Sequence, residues 1–275
     1  MRALRLSLLM ILAPGWLAAQ GILVAPHSIF IDHRTRGGFV ELYNPEARPV
    51  EVELLTLYGY PVTNAQGQLE LRVIEAPGKD DPTASGWIQV LPRRVLIPPL
   101  TKQTIRLLGR PPASTADGEY WARLEIRAKE GQVAVAGADS TPGIQMRLNL
   151  EVRTIIPVYY RKGPVASAVE LSDVRTTLEP DSIGVRMRLK RSGNAAYIGT
   201  VRGSLRNQAD REVKSFDTPI AVYYDIDPRF GISRQGLPPG QYTLHLEVAP
   251  ERADIPPEQL LRSPPVRATV PIVVK

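Results

Sequence analysis

Side chains able to do chemistry are few and scattered in this 275-residue sequence. The three histidines, His27, His33 and His245, belong to no zinc-ligand spacing. A surface or hydrogen-bonded imidazole is the default for each. There is no cysteine, hence no thiolate nucleophile, and no serine occupies a G-x-S-x-G elbow. Asp80-Asp81 and the Leu178–Asp181 segment (LEPD) are acidic, but both lie in turn-like sequence where solvated carboxylates are expected rather than a cation site. No glycine-rich loop is present to cradle phosphate. These residues give no support to an enzyme, to a metal site or to any cofactor, and function is sought instead in a surface.

The surface that stands out is Ile144–Arg161, IQMRLNLEVRTIIPVYYR. Its even positions are Ile144, Met146, Leu148, Leu150, Val152, Thr154, Ile156, Val158 and Tyr160; its odd positions begin Gln145, Arg147, Asn149, Glu151, Arg153. Alternation with period two is the mark of a strand with one apolar and one polar face. At about 3.3 Å per residue the stretch spans about 60 Å, against roughly five or six residues for an ordinary strand. The apolar row is longer than one sandwich needs. A long small-residue loop, Lys129–Gly143, feeds it, so its first half is expected at an unpaired edge. Such an edge is an aggregation hazard unless a partner pairs with it, and strand addition to a partner's sheet is one use for it. The bland alternative is that the row fills the core of its own sandwich.

The elements around this strand follow from patterning. Met1-Arg2-Ala3-Leu4-Arg5, an apolar run to Leu17 and Ala18-Ala19-Gln20 form an expected secretory leader over residues 1–20, with cleavage near Ala19. The apolar run is short for a membrane span, and no later stretch is long and apolar enough for one. Loss of Arg2 and Arg5 lowers the net charge from +6 to +4, with 32 basic against 28 acidic side chains. With no lysine or arginine run, nucleic acid is not an expected partner. An exported chain without cysteine has no disulfides, so each domain must be held by its core.

Short alternating runs separated by turn residues continue to the C-terminus. Ile22–Ile31, Phe39–Pro45, Val50–Leu57, Leu69–Ile74, Trp87–Pro92, Arg94–Pro99, Thr101–Leu108 and Glu119–Arg127 read as strands, with loops at Pro61–Gly67 and Ala76–Gly86. After the break Lys162-Gly163-Pro164 come Ala168–Val174, Ile183–Arg191, Tyr197–Arg206, Ile220–Ile226, Gln241–Val248 and Val266–Val274, while residues 251–264 are proline-interrupted. The pattern predicts an all-β chain of two sandwiches, residues 21–162 and 163–275. Tyr159-Tyr160 and Tyr223-Tyr224 put a ring on each side of the chain, as expected where a strand is covered on both faces or lies at a domain contact, and Trp87 and Trp121 are expected in core or interface.

Over about residues 22–162 the sequence resembles the periplasmic pilus-assembly chaperones. Ala25-Pro26 with Ile29–Asp32, Val40–Pro45, Val90–Pro99 with Gln103–Leu107, Asp117–Trp121 and Val158–Arg161 occur in the family's order. Residues 163–275 match only in general character. The resemblance implies two immunoglobulin-like sandwiches in an L-shaped arrangement. It also implies a periplasmic location, pilus or fimbrial subunits as partners, and an outer-membrane usher as the assembly site. The donor strand it implies is Met146, Leu148, Leu150 and Val152, and it implies an interdomain charge pair between Glu119 and Arg161. One departure is plain. The family grips its subunit's terminal carboxylate with an arginine on the first strand and a lysine on the seventh, where this chain has Ser28 and Pro157. Arg34, Arg36 and Arg153 are the candidate substitutes. The competing expectation is a secreted structural or adhesive module with the same fold and no transient client.

Overall fold

The computed structural model describes residues 21–129, 133–134, 147–148 and 151–275. The expected leader at 1–20 and the expected donor positions Met146 and Leu150 lie outside these residues. The first sandwich contains β1 (Leu23–Ala25), β2 (Ile29–Asp32), β3 (Gly37–Tyr43), β4 (Val50–Thr63), β5 (Leu69–Ile74), β6 (Ile88–Leu91), β7 (Arg94–Ile97), β8 (Lys102–Gly109), β9 (Gly118–Lys129) and β12 (Glu151–Lys162). Between the last two, β10 (Val133–Ala134) and β11 (Arg147–Leu148) pair antiparallel with each other. One sheet runs β1-β3-β8-β6; the other runs β2-β12-β9-β4-β5, with β7 also on β4. The second sandwich contains β13 (Ser167–Leu178), β14 (Ser182–Gly193), β15 (Tyr197–Asn207), β16 (Glu212–Val222), β17 (Arg229–Ser233), β18 (Gly240–Ala249) and β19 (Val266–Val274), in sheets β13-β14-β17 and β16-β15-β18-β19. The described residues contain no helix beyond one 3-10 turn, Pro257–Gln259, and no helix long and apolar enough to cross a membrane.

Each core follows from alternation. In β9, Ala122, Leu124, Ile126 and Ala128 point inward and meet Val40, Leu42, Val52, Leu54, Ile105, Leu107, Ile156 and Val158. The second core gathers Val185, Met187, Leu189, Val201, Leu205, Leu244, Leu246 and Val248. The Asn44-Pro45 turn has a specific task at the end of β3. Asn44 is fully buried, and its Nδ2 donates to Arg48 O (2.8 Å) and Ile97 O (3.0 Å). It thereby ties the turn after β3 to the end of β7 and gives these carbonyls a buried donor. At the end of β8, Gly109 lies under the Tyr160 ring, where a Cβ would sit 2.3 Å from a ring carbon. Only glycine permits that approach.

Sequence expectations shift in two places, and one run is only partly described. Of the run Ile144–Arg161, residues 147–148 and 151–161 are described, and the latter lie in the strand Glu151–Lys162. β4 continues to Thr63, through Pro61, which the sequence placed in a loop. The ladder with β5 makes the difference: Pro61 lies opposite Leu71 there, and Tyr58 and Tyr60 have a second sandwich to pack against. In the second sandwich the strand is Glu212–Val222 rather than Ile220–Ile226, and β17 is an additional strand. Charged residues at Glu212, Lys214 and Asp217 hid the former because it is an edge strand with an outward polar face.

Leu124 is fully buried at the centre of the first core. Leu124→Ala should destabilise the chain by about 2–5 kcal/mol. Chemical denaturation followed by tryptophan fluorescence measures it; a loss below about 1 kcal/mol would contradict the packing described.

Candidate functional site

β12 has two different edges. Along one it pairs with β9 without interruption, from Glu151↔Lys129 to Lys162↔Gly118. Along the other, parallel pairing with β2 begins only at Val158↔Ile29 and ends at Arg161↔Asp32. From Glu151 to Pro157 that second edge has no strand partner among the described residues. Pro157 stands where pairing begins, a place that tolerates the missing N–H. On the core face Val152 and Thr154 are half-buried and Ile156 is buried, while Ile155 on the outer face is 36% exposed. Of the implied donor positions, Val152 lies opposite Ala128 and beside Gly21, and Leu148 takes part in the β10–β11 ladder.

The candidate anchors do not form one site. Ser28 immediately precedes β2, and continuing the parallel register one step brings it beside Pro157. The two positions are therefore neighbours, and neither is charged. Arg34 is exposed and bound to Asp32 Oδ1 at 3.1 Å. The Arg34 backbone N–H and guanidinium hold the Asp32 carboxyl below its ordinary range. Arg36 adopts a positive φ of 53° and donates Nε to His33 O (3.3 Å). Arg153 pairs with Glu151 at 2.7 Å and approaches Glu125 at 3.9 Å. It lies eight positions back from Arg161, about 26 Å at strand rise. His27, next to Ser28, is within electrostatic reach of Asp254, whose carboxyl the Arg252 side chain holds low. Asp81 Oδ2 accepts the Gly78 N–H (2.7 Å), so this loop carboxylate closes a turn. Among the described residues no group of three or more His, Asp or Glu is placed to hold a metal.

Below the covered half of β12 lies the junction of the two sandwiches. The Glu119 side chain is completely buried. Its Oε2 accepts from Arg161 Nε at 2.7 Å, and its Oε1 accepts from Trp121 Nε1 and from the Ala196 backbone N–H, each at 3.0 Å. Arg161 in turn donates to Gln259 O (2.6 Å) and lies 4.6 Å over the Phe30 ring. Both members of the pair thus reach the second sandwich. An aromatic layer surrounds them. Tyr159 stacks on Phe30 (4.8 Å between centroids), Trp121 meets Tyr223 edge-on (4.7 Å), and Tyr223 OH donates to Tyr159 OH at 2.7 Å. Arg123 sits 5.0 Å over Tyr223 and donates Nε to Gly59 O; Arg191 donates Nε to Tyr223 O (2.6 Å). Burial pushes the Tyr159 and Tyr223 phenols above their ordinary range. A second contact is made by the β4–β5 turn: Thr63 Oγ1 accepts from Asp227 N (3.0 Å), and Gly67 O accepts from Arg229 N (2.8 Å). Arg123, Arg191 and this turn were invisible in the sequence, because arginine on the outer face of a strand is the ordinary solvent-facing choice.

No family model and no curated protein matches the sequence. Solved structures do. The YadV chaperone is 13% identical, with 91% of this chain and 99% of that chain covered and a TM-score of 0.46. The CsuC–CsuE chaperone–tip adhesion subunit pre-assembly complex, from the archaic chaperone-usher Csu pili of Acinetobacter baumannii, is 12% identical over 90% of this chain and 98% of that chain, with a TM-score of 0.47. The Salmonella enterica SafA pilin complex with the SafB chaperone gives 12%, 91%, 96% and 0.43. The matched span takes in residues of both sandwiches.

Two outcomes follow from the junction. Glu119→Gln keeps the shape but leaves Arg161 without its counter-charge, and should destabilise the chain by about 3 kcal/mol in chemical denaturation; a neutral result would mean that solvent replaces the carboxylate. The tyrosines give a pH dependence. A phenol raised in the folded state keeps its proton while the unfolded one, near 10.0, loses it, so folding stability is intact below pH 10 and falls above it. Alkaline titration should show Tyr159 and Tyr223 ionising only with unfolding, detected as phenolate absorbance coincident with loss of circular dichroism.

Proposed function

We propose that this chain is a periplasmic chaperone for the subunits of a surface fibre, exported by the leader at 1–20, that shelters a subunit by lending it a strand. The free edge of β12 from Glu151 to Pro157 carries this reading. It continues the alternating row Met146, Leu148, Leu150 and Val152, so an incoming strand would find main-chain donors and acceptors together with apolar side chains. Each apolar side chain moved out of water in a complex contributes about 1.5–3 kcal/mol. The domain division proposed is 21–162 and 163–275, with the break at Lys162-Gly163-Pro164. An outer-membrane usher is the proposed destination of the complex. The missing charge at Ser28 and Pro157 assigns the client to a divergent class, held by strand pairing more than by capture of a terminal carboxylate.

Glu119 and Arg161 are proposed to set the angle between the sandwiches. Small-angle scattering tests that role: Glu119→Gln should broaden the distance distribution while circular dichroism stays unchanged. An unaltered distribution would assign the angle to the aromatic layer and the β4–β5 turn instead.

The strand-lending role is tested with Leu148→Asp and Leu150→Asp, each expressed in the native host and purified through a C-terminal tag. The expected outcome is an unchanged thermal transition and loss of the co-purifying subunit. If either variant unfolds, the residue belongs to the core. If both fold and the client persists, the chain lends no strand here. A wild-type chain purified without any client would favour the structural-module alternative.

A further inference from the structure

A second free edge lies at the far side of the same sheet. β5 is the outermost strand, and among the described residues it pairs with β4 alone. Its sequence is Leu69-Glu70-Leu71-Arg72-Val73-Ile74. Leu69, Leu71 and Val73 share one face and are 40%, 40% and 43% exposed. The β4 residues opposite them are Thr63, Pro61 and Gly59, too small to cover the row. Glu70 and Arg72 lie exposed on the other face, and neither forms an ion pair among the described residues. An edge of this kind is one that sheets normally blunt or cover, and the strand-lending role proposed for β12 does not use it.

We infer that the occupant of this edge is a second copy of the chain, paired antiparallel through β5 about a two-fold axis at Leu71. In that register Leu71 faces the partner's Leu71, and Leu69 faces the partner's Val73. Glu70 faces the partner's Arg72, and Arg72 faces the partner's Glu70. Every apolar residue meets an apolar one and every charge meets its opposite, an isologous contact. The neighbouring registers are disfavoured. A shift of two residues one way sets Glu70 against the partner's Glu70, and the other way sets Arg72 against the partner's Arg72. A shift of one sets charge against leucine. The edge is six residues long, about 20 Å, and falls short of a standard interface, so the dimer is weak and concentration-dependent.

Sedimentation velocity on the full mature chain over a concentration series tests this. Wild type should show reversible monomer–dimer exchange. Glu70→Arg and Arg72→Glu alone set like charges opposite each other and should each raise the dissociation constant roughly tenfold. An equimolar mixture of the two variants should restore association, because each substituted charge then meets the opposite sign. As an independent measure, Leu71→Cys in this cysteine-free chain should form a disulfide dimer in air much faster than Phe39→Cys, placed at a 61% exposed position on the other sheet. Cross-strand Cα separations of about 4.5–5.5 Å suit a disulfide. A chain monomeric throughout the series, association indifferent to both charge changes, or equal linking rates for the two cysteine variants would each overturn the proposal.

Discussion

The two sandwiches meet around one buried carboxylate. Glu119 has no exposed side-chain surface, and an ionised carboxylate in such a place is tolerable only when its oxygens are filled by donors. The first sandwich supplies Trp121 Nε1 and Arg161 Nε; the second supplies the Ala196 N–H. If the sandwiches part, Glu119 loses a hydrogen bond and Arg161 loses its contact with Gln259 O. Ion pairs of this kind add little net stability over an apolar replacement. Their distinctive effect is geometric, since few relative placements satisfy every group at once.

Packing then reinforces that placement. The outer faces of β9 and β12 alternate in the ordinary way near their far ends, where Arg127, Glu151 and Arg153 are polar. Near the junction the same faces carry Trp121 and Tyr159, because there the outer face of one sandwich is the inner face of an interface. Tyr159 and Tyr160 therefore point into two separate apolar clusters, one between the sandwiches and one within the first. The β4–β5 turn adds a contact at a distance from the first, through Thr63 and Gly67. Gly67 is required there: at φ +80° it brings the backbone so close to Arg229 that a Cβ would lie 2.7 Å from the Arg229 Cβ. Two separated contacts resist rotation in a way that one cannot.

Alternation made most strands of both cores legible, and the paired tyrosines marked strands covered on both faces or at a domain contact, of which the structure shows the junction. What escaped the sequence shares one physical cause, namely interactions between segments far apart in the chain. Pro61 reads as a loop until the β5 ladder and the second sandwich are in place. Val222 ends its strand where Tyr223 turns into the junction, so an apolar run that continues to Ile226 misleads. Arg123 and Arg191 look like solvent-facing residues, and only the aromatic rings of the opposite sandwich turn them into interface groups. The Glu119–Arg161 contact, by contrast, was reachable through resemblance but not through spacing, because 42 residues separate the two side chains. The neighbouring positions Ser28 and Pro157 show the converse. The sequence alone displays the missing charges, and the register adds that the two positions adjoin.

The covered end of β12 governs its free end. A one-residue slip of a strand exchanges every side chain between faces. Here a slip would drive Tyr160 out of the first core, pull Tyr159 off Phe30 and Tyr223, and remove Arg161 from a carboxylate that has no solvent to fall back on. These groups lie beyond the segment Glu151–Pro157, yet a strand has one register, so together with the β9 ladder they fix which of its residues face the core there. Val152, Thr154 and Ile156 are held on that face by the β9 ladder beside them, and the contacts farther along the strand reinforce the same register. Along Glu151–Pro157 one ladder, with β9, defines the strand among the described residues, and the junction adds a second constraint on its register. The buried charge pair and the free edge are in this sense one device, with the interface fixing the phase that the edge presents.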